Sequence, residues 1–378
     1  MKMDFLYKNS LPSIALVQQR LDEYLSSKIK HLFPVFFFKF SFNEQQNVMF
    51  ALSNIFDPKY AFLFYAPLFY SFDHRIGTKM MWASVISEWS NHLLKWFLHG
   101  ERPYWWIHEF NQSLQQQDRN STLPTIEQTF MTCETGPGSP SGHAMVTACV
   151  WYVIIDGILN RKKLQNSKHR ESIIDTICWS FYTLILCAVS LSRIYIAAHF
   201  PHQCLLGMAM GIAVAKILNL LETESFGLKV YLFGTFGLIG SAIMTYFTLI
   251  LMGFNPHWSV ERALKWCARP EHVRVDTTPF YSMMRYSGFF AGIGLGFNTK
   301  LFKCESSANC LQKRSIIALL SLIASSLIQS VPLSREMESF KLYGIVFLMN
   351  MVLPYLFIAL IPFLINRIDK AVFKQKNQ

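Results

Sequence analysis

Three separated blocks of the chain carry side chains that suit chemistry on a phosphate. The first runs Lys95-Trp96-Phe97-Leu98-His99-Gly100-Glu101-Arg102-Pro103, the second Gly136-Pro137-Gly138-Ser139-Pro140-Ser141-Gly142-His143, the third Ser192-Arg193-Ile194-Tyr195-Ile196-Ala197-Ala198-His199. Lys95, Arg102 and Arg193 supply three cations; arginine offers a planar fork to two phosphate oxygens, whereas lysine acts as a point charge. Small residues in the second block let backbone approach a ligand, and the apolar run 144–159 after it is read as a helix whose first N–H groups favour an anion. The Ser141 hydroxyl and the N–H groups around Ser141 and Gly142 are therefore expected to complete a phosphate cradle. His143 and His199 each close a block that holds a phosphate-binding partner. Two imidazoles at one phosphate can divide nucleophilic attack from proton transfer.

These blocks must be brought together by helices. Hydrophobic residues make up 52% of the 378, phenylalanine alone numbers 33, and only 16% are charged. Such apolar content exceeds what one soluble core absorbs and points to a bilayer. The net charge of +11 does not gather on one amphipathic segment, so a nucleic-acid partner is not expected. Nine spans are expected, at about 48–71, 79–98, 144–159, 174–191, 203–220, 229–253, 281–297, 315–331 and 342–365. The fold class is accordingly an all-α, polytopic membrane protein. Lys95 and Arg102 lie seven residues apart, about two turns, which is read as one helix face. Pro103 disfavours helix at Arg102, so the helix is expected to stop just before it.

The three blocks read K-x6-R-P, P-S-G-H and S-R-x5-H, and together they resemble the tripartite signature of the type 2 phosphatidic acid phosphatase (PAP2) and vanadium haloperoxidase superfamily. Within it, Arg102-Pro103-Tyr104-Trp105-Trp106, Cys133-Glu134-Thr135-Gly136 through His143, and His199-Phe200-Pro201-His202-Gln203 look like the glucose-6-phosphatase catalytic subunit family. Trp266-Cys267 and Asp276-Thr277-Thr278-Pro279-Phe280 agree, and Gly77-Thr78-Lys79-Met80 and Trp258-Ser259-Val260 are similar to its islet-type branch. The resemblance implies a PAP2-like helical core that hydrolyses glucose 6-phosphate to glucose and inorganic phosphate without a cofactor or metal. It casts His199 as the nucleophile that forms a phosphohistidine and His143 as general acid and base. It also implies residence in the endoplasmic reticulum membrane with a lumenal site, and hence a glucose-6-phosphate transporter as functional partner. The alternatives are a lipid-phosphate phosphatase of the same superfamily and a non-catalytic, transporter-like relative.

One position departs from the superfamily: Gln203 stands where an aspartate usually orients the nucleophilic ring. Asp57, with Lys59 inside the first expected span, is the candidate to replace that carboxylate; Glu109 and Asp118 are weaker ones. A helix break at Asp57-Pro58 is the competing reading. Glu88 and His92, four residues apart, are expected to pair structurally. Tyr104, Trp105 and Trp106 could wall a sugar face or sit at the membrane interface. The eight cysteines show no metal or redox spacing and are expected to be unpaired thiols.

Topology follows from the loops. Sequons at Asn111 and Asn120 fall in the long stretch between the second and third spans, suggesting a lumenal face. Arg161, Lys162, Lys163, Lys168 and Arg170 after the third run belong in the cytosol by the positive-inside rule. Arg102, His143 and His199 then fall on one side of the membrane. Nine spans and a cationic tail put the C-terminus in the cytosol and the N-terminus in the lumen, although six Lys/Arg in residues 1–47 run against that rule. Lys374 and Lys376 read either as a dilysine retrieval signal or as membrane anchors. Three regions result: a lumenal arm at 1–47, carrying an apparent insertion relative to the family, a membrane-embedded phosphatase domain at 48–366, and a basic tail at 367–378.

Overall fold

A computed structural model describes residues 42–117, 126–163, 171–303, 310–333 and 338–376. The chain divides into two compact units, 1–51 and 52–378. The first is described only from Phe42, where helix α1 (Phe42–Ile55) begins. The second holds everything that follows.

The described residues are helical, with one isolated bridge between Glu134 and Arg274 and no strand. The principal helices are α2 (Ala66–Phe72), α3 (His74–Leu98), α4 (Pro103–Gln117), α5 (Gly142–Lys163), α6 (Glu171–Tyr195), α7 (Pro201–Asn219), α8 (Leu228–Leu251), α9 (Trp258–Trp266), α10 (Pro279–Asn298), α11 (Leu311–Gln329), α12 (Ser339–Tyr355) and α13 (Ile361–Lys376). Among the described residues, six stretches are long and apolar enough to cross a membrane: α7, α8, α11, Ile173–Tyr195 of α6, the first twenty residues of α5, and Ser339–Ala371 across α12 and α13. Their outward apolar side chains, such as Phe233 and Phe236 of α8 at 74% and 72% exposure, would be unfavourable in water and suit lipid.

Helix also covers the other three expected segments, which fall short in length or hydropathy. Segment 48–71 is interrupted where Asp57 caps the short turn Pro58–Tyr60, its carboxylate accepting from Lys59 N–H at 3.1 Å. Helix α3 carries Glu88, Asn91, His92 and Lys95, and α10 carries Arg285, all lining one cavity. These helices face polar chemistry inward.

Helix α3 starts on Asp73, whose carboxylate accepts from the N–H groups of Arg75 and Ile76. It ends at Leu98, with His99 in the left-handed region at φ 47°. The chain therefore leaves the helix between Lys95 and Arg102, and the shared-face expectation fails. Pro103 instead opens α4, a helix inside the stretch expected to be a loop; proline fits a first turn, where its missing N–H would have no helical partner anyway.

Helices α5 and α7 pack most closely where Gly207 and Gly211 face the carbonyls of Ser141 and Met145. A Cβ at either glycine would strike those oxygens, so only glycine lets the helix starting at Gly142 lie against the one following His199. Helix α6 ends at Tyr195, and Ala197 just beyond it is held at φ 54°. That left-handed alanine costs roughly 1–2 kcal/mol, and it turns the chain so that the next two residues face the site.

The expectation of unpaired cysteines is overturned at one pair: Cys133 and Cys267 form a disulfide across 134 residues of sequence. Their separation hid the pairing, because no short-range spacing marks a bridge closed by tertiary folding. Tyr104 and Trp105 are fully buried against Cys133 and Ala263. They are core beneath the loop, neither a sugar wall nor an interface belt.

Candidate active site

The phosphate-type residues meet at one place, around a group that had been given no role. Glu134, 3% exposed, points its carboxylate between the two buried arginines. Arg193 Nη2 donates to Oε1 at 2.5 Å and Arg102 Nη1 to Oε2 at 2.9 Å. His143 Nδ1 lies 4.0 Å from Oε1 and His199 Nε2 lies 3.8 Å from Oε2. Two imidazoles and two guanidinium groups from blocks up to 97 residues apart thus surround a space that one small anion fills.

Each arginine is held by its other donors. Arg102 Nε donates to Gly136 O at 2.6 Å, Nη2 to Pro137 O at 3.2 Å and Nη1 to Ala198 O at 3.0 Å. It therefore ties the Gly/Pro loop to the turn before His199. Arg193 Nη1 donates to the buried Ser53 hydroxyl at 2.7 Å, and its Nε is buried with no hydrogen-bond partner among the described residues. The loop is also fixed by Gly138 N–H to Gly100 O at 2.7 Å and Asn91 Nδ2 to Pro140 O at 3.1 Å.

His199 has a defined tautomer. Its Nδ1 lies 2.8 Å from Gly138 O and 3.2 Å from Gln203 Oε1, both acceptors. Nδ1 must then carry the proton, which leaves the Nε2 lone pair facing the anion space. Gln203 is itself locked, its Nε2 donating to Glu101 O at 2.6 Å and its Oε1 accepting from Phe200 N–H at 3.2 Å. A backbone carbonyl and an amide orient this ring, and the expectation that Asp57 does so is corrected. Asp57 Oδ2 faces the other histidine, 3.9 Å from His143 Nε2, and pairs with Arg274 Nη2 at 3.1 Å. The reason is positional: Asp57 caps the turn beside the start of α5, where His143 sits.

Ser141 also differs from expectation. Its backbone N–H donates to Gln203 O at 3.0 Å, and its hydroxyl is fully buried beside Cys204. The helix start at Gly142 and the ring of His143 do line the cavity. That space, a cavity of about 70 Å³, is further bordered by Lys95, Asp57, Arg274 and Glu134. Lys95 thus reaches the site from the last turn of α3, while Arg102 reaches it from beyond the helix end.

Arg274 was missed altogether. It bridges Asp57 and Asp276, and its Nη1 stands 3.9 Å from Glu134 Oε1. Its N–H donates to Cys133 O at 3.1 Å, and Thr135 bonds Thr277 beside it. The segment after α9 is therefore stitched to the loop bearing Glu134 next to the disulfide. A charge balance would have suggested an anion, since the three blocks bring three cations to one place and only Glu134 stands among the small residues of the loop.

The remaining candidates lie elsewhere. Glu88 pairs with Arg285, and His92 meets the Tyr286 hydroxyl at 3.3 Å, so those two do not pair with each other. Glu109 accepts from Arg262 and Trp266, both at 3.1 Å. Asn111 is half-buried on α4; Asn120 and Asp118 lie outside the described residues. Lys374 and Lys376 fall within the bounds of α13, and their side chains lie outside the description.

Burial and charge set the protonation of the groups outside the spans. Burial alone would push the Glu134 carboxyl up, but Arg193 and Arg102 override it and hold it well below the ordinary 4.5. Burial, helped by Arg102 and Arg193, holds His199 well below its ordinary 6.5. In the unfolded chain His199 takes up a proton below 6.5 while the folded ring does not, so stability falls as pH drops below that value. The Glu134 contribution is full above 4.5 and is lost as pH falls from there toward its folded pKa. The melting temperature in detergent should therefore decline from pH 7 to pH 4. His199→Gln should remove the part of the decline that starts near 6.5, and Glu134→Gln the part below 4.5. A melting temperature that stays level or rises over this range would contradict both assignments.

Comparison with known proteins agrees in range with these blocks. The profile of the PAP2 superfamily matches residues 76–226. The chain is 37% identical over 332 residues to glucose-6-phosphatase 2 of Homo sapiens, covering 84% of this chain and 90% of that protein. It is 36% identical over 334 residues to glucose-6-phosphatase catalytic subunit 1 of Felis catus, covering 87% and 92%. With glucose-6-phosphatase 3 of Bos taurus it shares 32% identity over 322 residues, covering 85% and 90%. No solved structure matches the chain.

Proposed function

The chain belongs to the glucose-6-phosphatase family, and from that premise we propose that it hydrolyses glucose 6-phosphate to glucose and inorganic phosphate. The observation that carries this reading is the convergence of His143 and His199, each within 4.0 Å of a carboxylate gripped by Arg102 and Arg193. That carboxylate marks where a phosphoryl group would sit.

In the proposed reaction, Arg102, Arg193 and Lys95 bind the phosphate oxygens and offset the charge that develops in the transition state. The N–H groups at the start of α5, around Gly142, add the positive end of a helix. The His199 Nε2 lone pair attacks phosphorus, forming an N–P bond as the bond from phosphorus to the sugar oxygen breaks. His143 gives its proton to that departing oxygen. Water then attacks phosphorus and passes a proton to His143, the N–P bond breaks, and phosphate leaves with His199 restored. Asp57, 3.9 Å from His143 Nε2, is placed to orient that ring. Ser141 acts through the loop it anchors rather than through its N–H.

The site faces the lumen of the endoplasmic reticulum in a multi-pass protein. The disulfide beside Glu134 supports this orientation, because disulfides persist in oxidising compartments, and the basic run from Arg161 to Arg170 supports a cytosolic location for the opposite loop. A lumenal site makes a glucose-6-phosphate transporter the functional partner. Asn111 and Asn120 are the glycosylation candidates of that face, with Lys374 and Lys376 as the retrieval candidates of the tail.

Purified protein assayed against glucose 6-phosphate and phosphatidic acid side by side tests the reading. Phosphate release from the sugar ester is the expected result; release from the lipid alone would assign the other branch of the superfamily. In microsomes, activity toward glucose 6-phosphate should rise when the membrane is permeabilised. Equal activity in sealed vesicles that lack a transporter would place the site on the cytosolic face.

A further inference from the structure

Glu134 does not fit the reaction above, since a carboxylate held between both arginines occupies the place the substrate phosphate needs. We infer that Glu134 is a built-in occupant of the anion site, which an incoming phosphate displaces from Arg102 and Arg193 toward Arg274. The inference rests on the phosphate-site reading and adds a residue that governs how readily anions enter.

Three observations support exchange over a permanent structural ion pair. The main chain at Glu134 is anchored on both sides. Cys133 is bridged to Cys267, Arg274 N–H donates to Cys133 O at 3.1 Å, and the Tyr104 hydroxyl donates to Glu134 O at 2.9 Å. Displacement therefore needs only side-chain rotation, with no loop movement. A landing place is already present, because Arg274 Nη1 stands 3.9 Å from Oε1 and lines the same cavity.

The third observation is a deficit that the carboxylate leaves behind. Arg193 Nε is buried and has no hydrogen-bond partner among the described residues while Glu134 is in place. Two carboxylate oxygens already serve Arg102 and Arg193, one each, whereas a phosphate brings further oxygens that could satisfy this donor as well. A dianion also pairs better with two guanidinium groups than one carboxylate does. In the unliganded protein Glu134 spares the arginines the cost of burial without a counter-ion. When phosphate arrives, like charges cannot share the pair, and the weaker anion moves.

The consequence is competition within the molecule: every anion, product phosphate included, binds more weakly than the arginines alone would allow. Apparent affinity is reduced by the fraction of protein in which the carboxylate has left.

Orthovanadate binding to the full chain in detergent, measured by calorimetry, tests this without relying on turnover. Wild type, Glu134→Gln, Arg274→Gln and the double variant are compared. Glu134→Gln should bind vanadate about tenfold more tightly, the amide no longer competing as an anion. Arg274→Gln should bind several-fold more weakly, since the displaced carboxylate loses its receiving partner. In the double variant the Arg274 effect should vanish, because no carboxylate remains to be received. Equal or weaker binding by Glu134→Gln overturns the inference, as does an Arg274 effect of the same size in both backgrounds. Should Glu134→Gln fail to fold, an unchanged affinity in Arg274→Gln overturns it alone. If wild type binds vanadate and these variants do not shift it, the phosphate-site reading stands and this inference falls; if wild type binds none, both fall.

Discussion

Alanine in place of His199 should remove turnover of glucose 6-phosphate by about 10⁴-fold or more, the scale seen when a nucleophile is deleted. The proposed covalent route runs through Nε2, whose lone pair is left facing the anion space because Nδ1 carries the proton. The loss should be chemical rather than structural. The ring's Nδ1–H is shared by Gly138 O and Gln203 Oε1, and its Nε2 accepts from Arg102 Nη1 at 3.4 Å; Gln203 Oε1 keeps the Phe200 N–H, so leaving Gly138 O unpaired costs about 1–3 kcal/mol and a folded variant is expected. Phosphoprotein trapped by an alkaline quench distinguishes the roles of the two histidines. His199→Ala should show none with any substrate. His143→Ala should still form the phosphohistidine from p-nitrophenyl phosphate, whose leaving group needs no proton, and should accumulate it because water is no longer activated. Phosphoprotein in His199→Ala would remove that residue as nucleophile.

Arg102→Lys should be nearly as severe despite keeping the charge. Lysine cannot reproduce a fork that meets three carbonyls and a carboxylate at once. The carbonyls of Gly136 and Pro137 would lose buried donors at 2.6 and 3.2 Å. At about 1–3 kcal/mol for each unpaired buried group, a loss of about 2–6 kcal/mol is expected. Because those carbonyls belong to the loop that also orients His199 through Gly138, kcat/KM should fall more than about 100-fold, as expected when positioning is lost. Thermal unfolding with and without vanadate, beside steady-state kinetics, checks both effects. A variant with unchanged melting temperature and activity would show that Arg102 serves only as a point charge.

Glu134 was visible in the sequence as part of a motif and yet received no role, whereas His143 and His199 were assigned at once. The difference is physical. A histidine or arginine in such a block has a function that follows from its own chemistry, while a carboxylate takes its meaning from what surrounds it, and its partners come from Arg102, Arg193 and Arg274. Asp57 shows the same limit. Its proximity to the site was expected, but which imidazole it faces depends on where the turn at Pro58 meets the start of α5.

Read alone, the chain's residues determined that it is helical and membrane-bound and that its chemistry concerns phosphate, and they nominated five side chains for it: Lys95, Arg102, His143, Arg193 and His199. Apolar run length, charge and motif order are local quantities and survive without coordinates. Only the tertiary structure decided that Cys133 joins Cys267, that Gly138 O and Gln203 set the His199 tautomer, and that Glu134 pairs with Arg102 and Arg193 beside Arg274. Those are pairings across long sequence separations, 134 residues for the disulfide and 140 for Glu134 with Arg274. Distance along the chain carries no information about them until α5 and α7 close on their glycines and bring the loops together.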